Sequence, residues 1–130
     1  MATANSEKHL RIALIAVGVI FIVGIITLMQ IWPSGWGWEP RQSEYEQMII
    51  GIYATLGVFL LLASKNPMEH RSLIWFTVWS SVVHAGIMAV QAFVDPVERA
   101  NLIGDVPALF VVAILLGVLM RRCETEAQAS

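Results

Sequence analysis

Residues 10–32 read LRIALIAVGVIFIVGIITLMQIW, and no charged side chain follows Arg11 within this run. A transmembrane α-helix needs about 20 consecutive apolar residues, because each residue rises about 1.5 Å across a hydrocarbon core of about 30 Å. A signal peptide has a shorter apolar region of about 7–15 residues, followed by a small-residue cleavage site. The run is longer and has no such site, so we predict a retained membrane-spanning helix.

Three further apolar runs complete the predicted topology. We place helices at about residues 47–64, 72–94 and 103–121, and the last has the shortest uninterrupted apolar core. Short connections between helices are typical of antiparallel neighbours in a bundle. The predicted fold is therefore an all-α integral membrane bundle of four transmembrane helices, forming one membrane domain over residues 1–130.

The overall composition agrees with a membrane protein and excludes a nucleic-acid-binding one. Hydrophobic residues make up 57% of the chain and charged residues 14%, against about 25% charged in a soluble domain. The formal net charge is −2 and no basic cluster is present, whereas nucleic-acid binding needs clustered Lys and Arg. The single cysteine, Cys123, excludes an intrachain disulfide and a paired-cysteine metal site. The lipid bilayer is thus the expected partner.

The placement of Lys and Arg predicts the orientation, because cytoplasmic loops are enriched in these residues. Arg41 and Arg99 fall on one side of the predicted bundle. The other side holds the two termini and the loop after the second helix, and it contains Lys8, Arg11, Lys65, Arg71, Arg121 and Arg122. We therefore predict a multi-pass membrane protein with both termini in the cytoplasm.

The first outer loop, residues 33–44, follows Trp32 and contains Trp36 and Trp38 among Gly and Pro. Tryptophan is enriched where the bilayer meets water, since its ring is apolar and its N–H needs a polar partner. Two interpretations stay open at this stage: an interfacial anchor, or an aromatic platform over an outer cavity.

The third helix contains a polar stripe. Steps of four, three, four and three residues connect Thr77, Ser81, His84, Met88 and Gln91, which places them on one helical face. Polar groups inside a membrane face the bundle or a partner subunit rather than lipid. A small-residue row on the same helix, together with glycines on the first two helices, offers close-packing surfaces, so we expect a homo-oligomer or a subunit of a membrane complex.

His84 lies near the middle of its span, and a neutral imidazole there has one donor and one acceptor to satisfy. It predicts either an interhelical hydrogen bond or a ligand-binding or proton-handling role. Other polar residues lie level with it or nearer the outer side, and Asp105 also fits the N-cap of the fourth helix. The candidate ligand-binding residues are His84, Tyr53, Thr55, Gln91, Gln30, Asp105 and Trp36.

His84 and Met88 are also metal candidates, because both residue types ligate haem iron and copper and a spacing of four puts them on one face. A homodimer would be needed to assemble a full site, so we assign no cofactor. Ser80 and Ser81 lie near His84, but no acid stands at that depth to orient the ring as a serine hydrolase requires. We predict no catalytic residues.

Three stretches carry a resemblance that covers essentially the whole chain: residues 36–38 (WGW), 73–84 (LIWFTVWSSVVH) and 104–107 (GDVP). The chain resembles small, uncharacterised families of bacterial four-helix inner-membrane proteins. The resemblance implies a bacterial origin and the four-helix topology, and it implies no activity.

Three functional hypotheses follow. The first is binding of a small hydrophobic or lipid-like ligand, or of a partner subunit, through a polar site in the outer half of the bundle. The second is an oligomeric transporter or channel with the stripe of the third helix lining the path. The third is a membrane haem or copper protein that uses His84.

Overall fold

The computed structural model describes residues 2–38 and 43–130. These residues form no strand, and the fold is 92% helical. The helices are α1 (Ala2–Val19), a π-helical segment (Ile20–Gly24), α2 (Ile25–Ile31), α3 (Pro33–Trp36), α4 (Ser43–Ala63), a 3-10 helix (Pro67–His70), α5 (Arg71–Val94), a second 3-10 helix (Pro96–Leu102) and α6 (Asp105–Ala129).

Four helical stretches are long and apolar enough to cross a membrane: Ala4–Ile31, Glu44–Ala63, Pro67–Val94 and Pro96–Ala129. The prediction of an all-α bundle with four membrane-spanning helices is therefore confirmed. The side on which the termini lie stays a prediction.

The first span is continuous but not uniformly α-helical. In its π segment, the N–H of Ile25 bonds to the carbonyl of Ile20, five residues earlier, so one turn contains an extra residue. The span ends at Trp32, whose φ of −136° and ψ of 72° leave the helix just before Pro33.

The helices extend further into the aqueous regions than the predicted spans. The prediction put the start of the second helix at 47 and the end of the fourth at 121, whereas α4 begins at Ser43 and α6 continues to Ala129. Apolar runs mark the limits of the hydrocarbon region, and a helix with polar residues can continue beyond them into water.

The helices pack in the order α4, α1, α6, α5, with the most extensive contact between α5 and α6. Two glycines allow a close approach of α1 and α4: a Cβ on Gly18 would lie 2.9 Å from the carbonyl oxygen of Gly57, and one on Gly57 would lie 2.6 Å from that of Gly18. Direct contact between α4 and α5 is slight by comparison.

The core divides into two parts along the membrane normal. The terminal half, nearest the chain ends and the 64–70 loop, is filled by one large cluster in which Leu10, Leu14, Leu60, Leu116 and Met120 are fully buried. The Trp-loop half, nearest residues 32–38 and 95–105, has a smaller cluster of Ala85, Met88, Val106 and Leu109.

Helix α5 shows how the chain suits lipid. Thr77 and Ser81 of the polar stripe are 0% and 3% exposed, whereas Phe76, Trp79 and Val83 are more than half exposed on the outside of the bundle. This distribution is the reverse of a soluble amphipathic helix, since the surrounding solvent is hydrocarbon. The predicted stripe faces the bundle from Thr77 to Met88, whereas its last member, Gln91, is exposed.

Candidate functional site

A cavity of about 130 Å³ lies inside the Trp-loop half. All four spans and the Trp-containing loop contribute to its wall. Most of the lining is apolar. The lining includes Phe21, Trp36, Trp38, Glu46, Tyr53, His84, Met88, Asp105, Ala108 and Leu109.

The π segment of the first span forms one wall of this cavity. Ile20, Phe21 and Ile25 all line it. The Phe21 and Tyr53 rings meet edge to face, with centroids 4.9 Å apart and an interplanar angle of 87°. π-Bulges inside α-helices occur frequently at functional sites. No feature of the sequence predicted this irregularity, because residues 20–24 are uniformly apolar apart from Gly24.

Tyr53 of α4 and His84 of α5 join across the cavity wall. The Tyr53 hydroxyl and His84 Nδ1 are 2.5 Å apart and share a hydrogen bond, whose direction depends on the histidine tautomer. The bond connects the two helices of the bundle whose direct contact is slight. This arrangement provides the interhelical hydrogen bond that the sequence offered as one role for His84, and it also places His84 at the cavity.

Residues 33–38 of the outer loop form a roof over the cavity and pack on the connection between α5 and α6. A Cβ on Gly104 would lie 2.1 Å from the carbonyl oxygen of Gly35, so only glycine fits there without movement. Asn101 is fully buried, and its Nδ2 donates to the Gly37 carbonyl at 3.4 Å and to Glu98 Oε2 at 2.8 Å. These contacts hold the roof against the connection between α5 and α6.

Asp105 forms a hydrogen bond with the roof. The indole N–H of Trp38 donates to Asp105 Oδ2 across 3.3 Å. Asp105 is the first residue of α6 and is only 6% exposed. Although the sequence suggested an N-cap, the structure has Gly104 in that position, and Asp105 instead supports the loop.

Three polar atoms of cavity-lining residues lack a hydrogen-bond partner among the described residues: Trp36 Nε1, Glu46 Oε1 and Asp105 Oδ1. Buried polar groups in folded proteins nearly always have a partner, and each one left without costs about 1–3 kcal/mol. One donor and two acceptors around one cavity thus define a site that a polar molecule can satisfy.

The structure brings together four of the seven candidate residues: His84, Tyr53, Asp105 and Trp36 all line the cavity. The other three do not line it. Gln30 and Gln91 are exposed on the outside of the bundle, and the Thr55 hydroxyl donates to the Gly51 carbonyl on an exposed face of its own helix.

Sequence reasoning did not select Glu46, Trp38 or Phe21. For Glu46 a signal existed, because it forms with Ile49, Ile50 and Tyr53 the i, i+3, i+4, i+7 pattern of one helical face. All four of these residues line the cavity.

Both metal candidates also reach this cavity, since His84 and Met88 line it one turn apart on α5. Across residues 2–38 and 43–130, no group of three or more His, Cys, Asp or Glu side chains is placed to hold a metal ion. A metal at this position stays a prediction.

Comparison with other proteins gives a family. No curated protein matches the chain, and no solved structure matches it. A family model described as a family of unknown function (DUF6632) matches residues 4–129, nearly the full length. The chain therefore belongs to this family of unknown function, DUF6632.

Proposed function

We propose that this protein binds a small amphipathic, lipid-like molecule inside the Trp-loop half of the bundle. The single observation that supports the proposal most is the apolar cavity bordered by the unpaired atoms Trp36 Nε1, Glu46 Oε1 and Asp105 Oδ1. Ligand sites are typically concave and mostly apolar, with a few polar groups that fix the orientation of the ligand.

The unpaired polar atoms of the cavity are separated from most of its apolar lining. The three unpaired atoms belong to residues of the roof and of the adjacent helix starts, whereas the deeper wall consists of side chains such as Phe21, Ile49 and Leu109. A molecule with an apolar body toward the middle of the membrane and a polar head toward the roof satisfies both regions at once.

Helix packing alone does not account for this arrangement. The Tyr53–His84 hydrogen bond is sufficient to connect α4 with α5, and it leaves the three unpaired atoms unsatisfied. Unpaired groups lower the free energy of unfolding, and apolar side chains in their place would not. A ligand that forms hydrogen bonds with these groups would gain binding free energy from them.

The test is native mass spectrometry of the full chain purified in mild detergent from its membrane. We expect a discrete added mass on the wild type. Ala108→Phe puts an aromatic ring into the cavity and should remove that mass, while Val111→Phe, on the lipid-facing side of the same helix at 61% exposure, should retain it.

A wild type with no added mass at any detergent concentration that keeps it folded would overturn the proposal. So would equal retention by Ala108→Phe and the wild type, because the retained molecule would then bind elsewhere. Circular dichroism of both variants confirms that the helices are intact.

The proposal includes the orientation predicted from Lys and Arg, with the roof on the outer side of the plasma membrane. Reporter fusions after Ser130 test it: activity of a cytoplasmic reporter is expected, and activity of a reporter that requires export would reverse the assignment.

A further inference from the structure

We infer that the ligand is a cationic amphiphile, whose ammonium group binds between Asp105, Glu46 and the roof tryptophans while its apolar part fills the cavity. This inference rests on the proposed function and specifies the chemical class of the ligand. It combines the charge of the lining residues, the burial of Asp105, and the size of the cavity.

The buried Asp105 carboxylate is the main argument. Its exposed fraction is 6%, its Oδ2 accepts from the Trp38 indole N–H, and its Oδ1 has no partner among the described residues. A buried carboxylate is costly unless it is paired with a positive charge or fully hydrogen-bonded. The Trp38 indole N–H and the backbone N–H groups of Asp105 and Val106 bring no formal positive charge to this carboxylate, so the cavity offers a place for a cation.

Among the described residues, the other charged side chain that lines the cavity has the same sign. Glu46 lines the wall with Oε1 unpaired, and no Lys or Arg is among the described lining residues. Glu98 lies close by in the same connection and bonds to Asn101. Arg99 and Asp95, also in this connection, are exposed at the surface. An anionic head would meet like charges here, whereas a cation meets opposite ones.

The roof tryptophans add a second attraction for a cation through their ring faces only, because the unpaired Trp36 N–H is a donor and an ammonium group offers it no acceptor. The Trp36 and Trp38 side chains both line the cavity, and the face of an indole ring attracts a cation within about 6 Å. Paired acidic and aromatic groups are the combination that recognises ammonium ligands in aromatic cages.

The size of the cavity limits what the apolar part can be. Its volume of about 130 Å³ is close to that of an engineered apolar cavity, about 150 Å³, that binds benzene in another protein. One aromatic ring or a short alkyl chain therefore fits. Benzylamine (positively charged at neutral pH), benzyl alcohol and benzoate form a matched probe series with one ring and three different head charges.

The experiment follows the indole N–H resonances of ¹⁵N-tryptophan-labelled full-length protein in detergent micelles. Trp36 and Trp38 report on the cavity. Trp75, whose Nε1 donates to Glu124 at 3.1 Å in the terminal half, and Trp79, 63% exposed to lipid, serve as internal controls for distant changes and for partitioning into the micelle.

We expect benzylamine to shift the Trp36 and Trp38 resonances saturably, at least tenfold more tightly than benzyl alcohol, with no saturable shift by benzoate. Asp105→Asn keeps the shape of the side chain and should abolish the tenfold preference. Asp95→Asn, an exposed residue on the same side that does not line the cavity, should keep it and so controls for general electrostatic attraction.

Two outcomes overturn the inference, and they are distinguishable. Saturable shifts with equal affinity for benzylamine and benzyl alcohol, or a preference that survives Asp105→Asn, would overturn the cationic class and leave the cavity as a ligand site. If no probe causes a saturable shift at Trp36 and Trp38, both the inference and the proposed function are overturned.

Discussion

The terminal half and the Trp-loop half of this bundle are built from the same four helices but differ in how densely they are packed. In the terminal half, Leu10, Leu14, Leu60, Leu116 and Met120 are fully buried in one large apolar cluster. In the Trp-loop half, α4 and α5 meet through Tyr53 and His84, and a cavity remains between all four helices. The difference teaches that one small bundle can pack one end densely and keep a cavity at the other.

The largest expected effect compares two leucines of α6 that lie two turns apart. Leu116→Ala removes a fully buried side chain from the terminal half and should cost about 2–5 kcal/mol of unfolding free energy, the usual range for a buried leucine. Leu109→Ala should cost less, about 1–2 kcal/mol, because Leu109 already borders an empty space and loses fewer contacts.

Unfolding by sodium dodecyl sulfate, followed by circular dichroism of the protein in mild detergent, measures both free energies. The contrast between the halves would be wrong if Leu109→Ala proved as costly as Leu116→Ala, since that result indicates equally dense packing around both side chains.

A smaller effect is expected at the helix crossing between the two halves. Gly57→Ala places a Cβ 2.6 Å from the backbone oxygen of Gly18, so α1 and α4 must move apart, and overpacking of this kind typically costs about 1–3 kcal/mol. Gly51→Ala is the matched control on the same helix, because its Cβ would meet nothing within 4 Å. It should raise stability by up to about 1 kcal/mol, because alanine favours a helix interior over glycine.

The same unfolding assay compares these two glycine variants. Similar stabilities for Gly57→Ala and Gly51→Ala would show that the close approach of α1 and α4 is absent in the folded protein.

The smallest expected effect concerns the hydrogen bond between α4 and α5. Tyr53→Phe keeps the ring against Phe21 and removes only the hydroxyl that pairs with His84, so we expect a loss of about 1 kcal/mol, as for interhelical hydrogen bonds in membranes generally. Tyr45→Phe makes the identical chemical change on the same helix at a residue that is 60% exposed, and it should be neutral.

Hydrogen exchange adds a second measurement to this comparison, because the amides of α4 and α5 around the cavity should exchange faster in Tyr53→Phe than in Tyr45→Phe. Equal protection in the two variants would mean that the bond does not hold these helices together.

The fold was predictable because a bilayer imposes a length and an apolar composition on each spanning helix, and both are visible in the sequence. The inward face of α5 was predictable from helical periodicity, which gave Thr77, Ser81 and Met88 as buried. Helical periodicity does not show at which residue polar side chains no longer need to face the bundle. Gln91 lies in the last turn of α5, near the end of the span, where an amide can reach water and need not face the bundle.

The rest of the site depends on features that have no local sequence signal. The position of the cavity depends on how the roof packs on Gly104 and on the weak contact between α4 and α5, and neither follows from one helix at a time. Gln30 was selected for its depth, near the outer side of the first span, and a regular first helix was assumed. The π segment turns α2 relative to α1, so the face on which Gln30 lies could not be deduced from regular periodicity.

The π segment also has a consequence for how this family can change over evolutionary time. A π turn is equivalent to a single-residue insertion in an α-helix, and removing that residue rotates one side of the helix by about 100° relative to the other. With the extra residue present, Phe21, Ile25 and Met29 all line the cavity, although they lie on both sides of the π turn. Within residues 20–24, therefore, a one-residue deletion would not be a neutral length change: it would redirect an entire helical face, and homologues should keep the spacing between Leu14 and Met29 more strictly than the residue types between them.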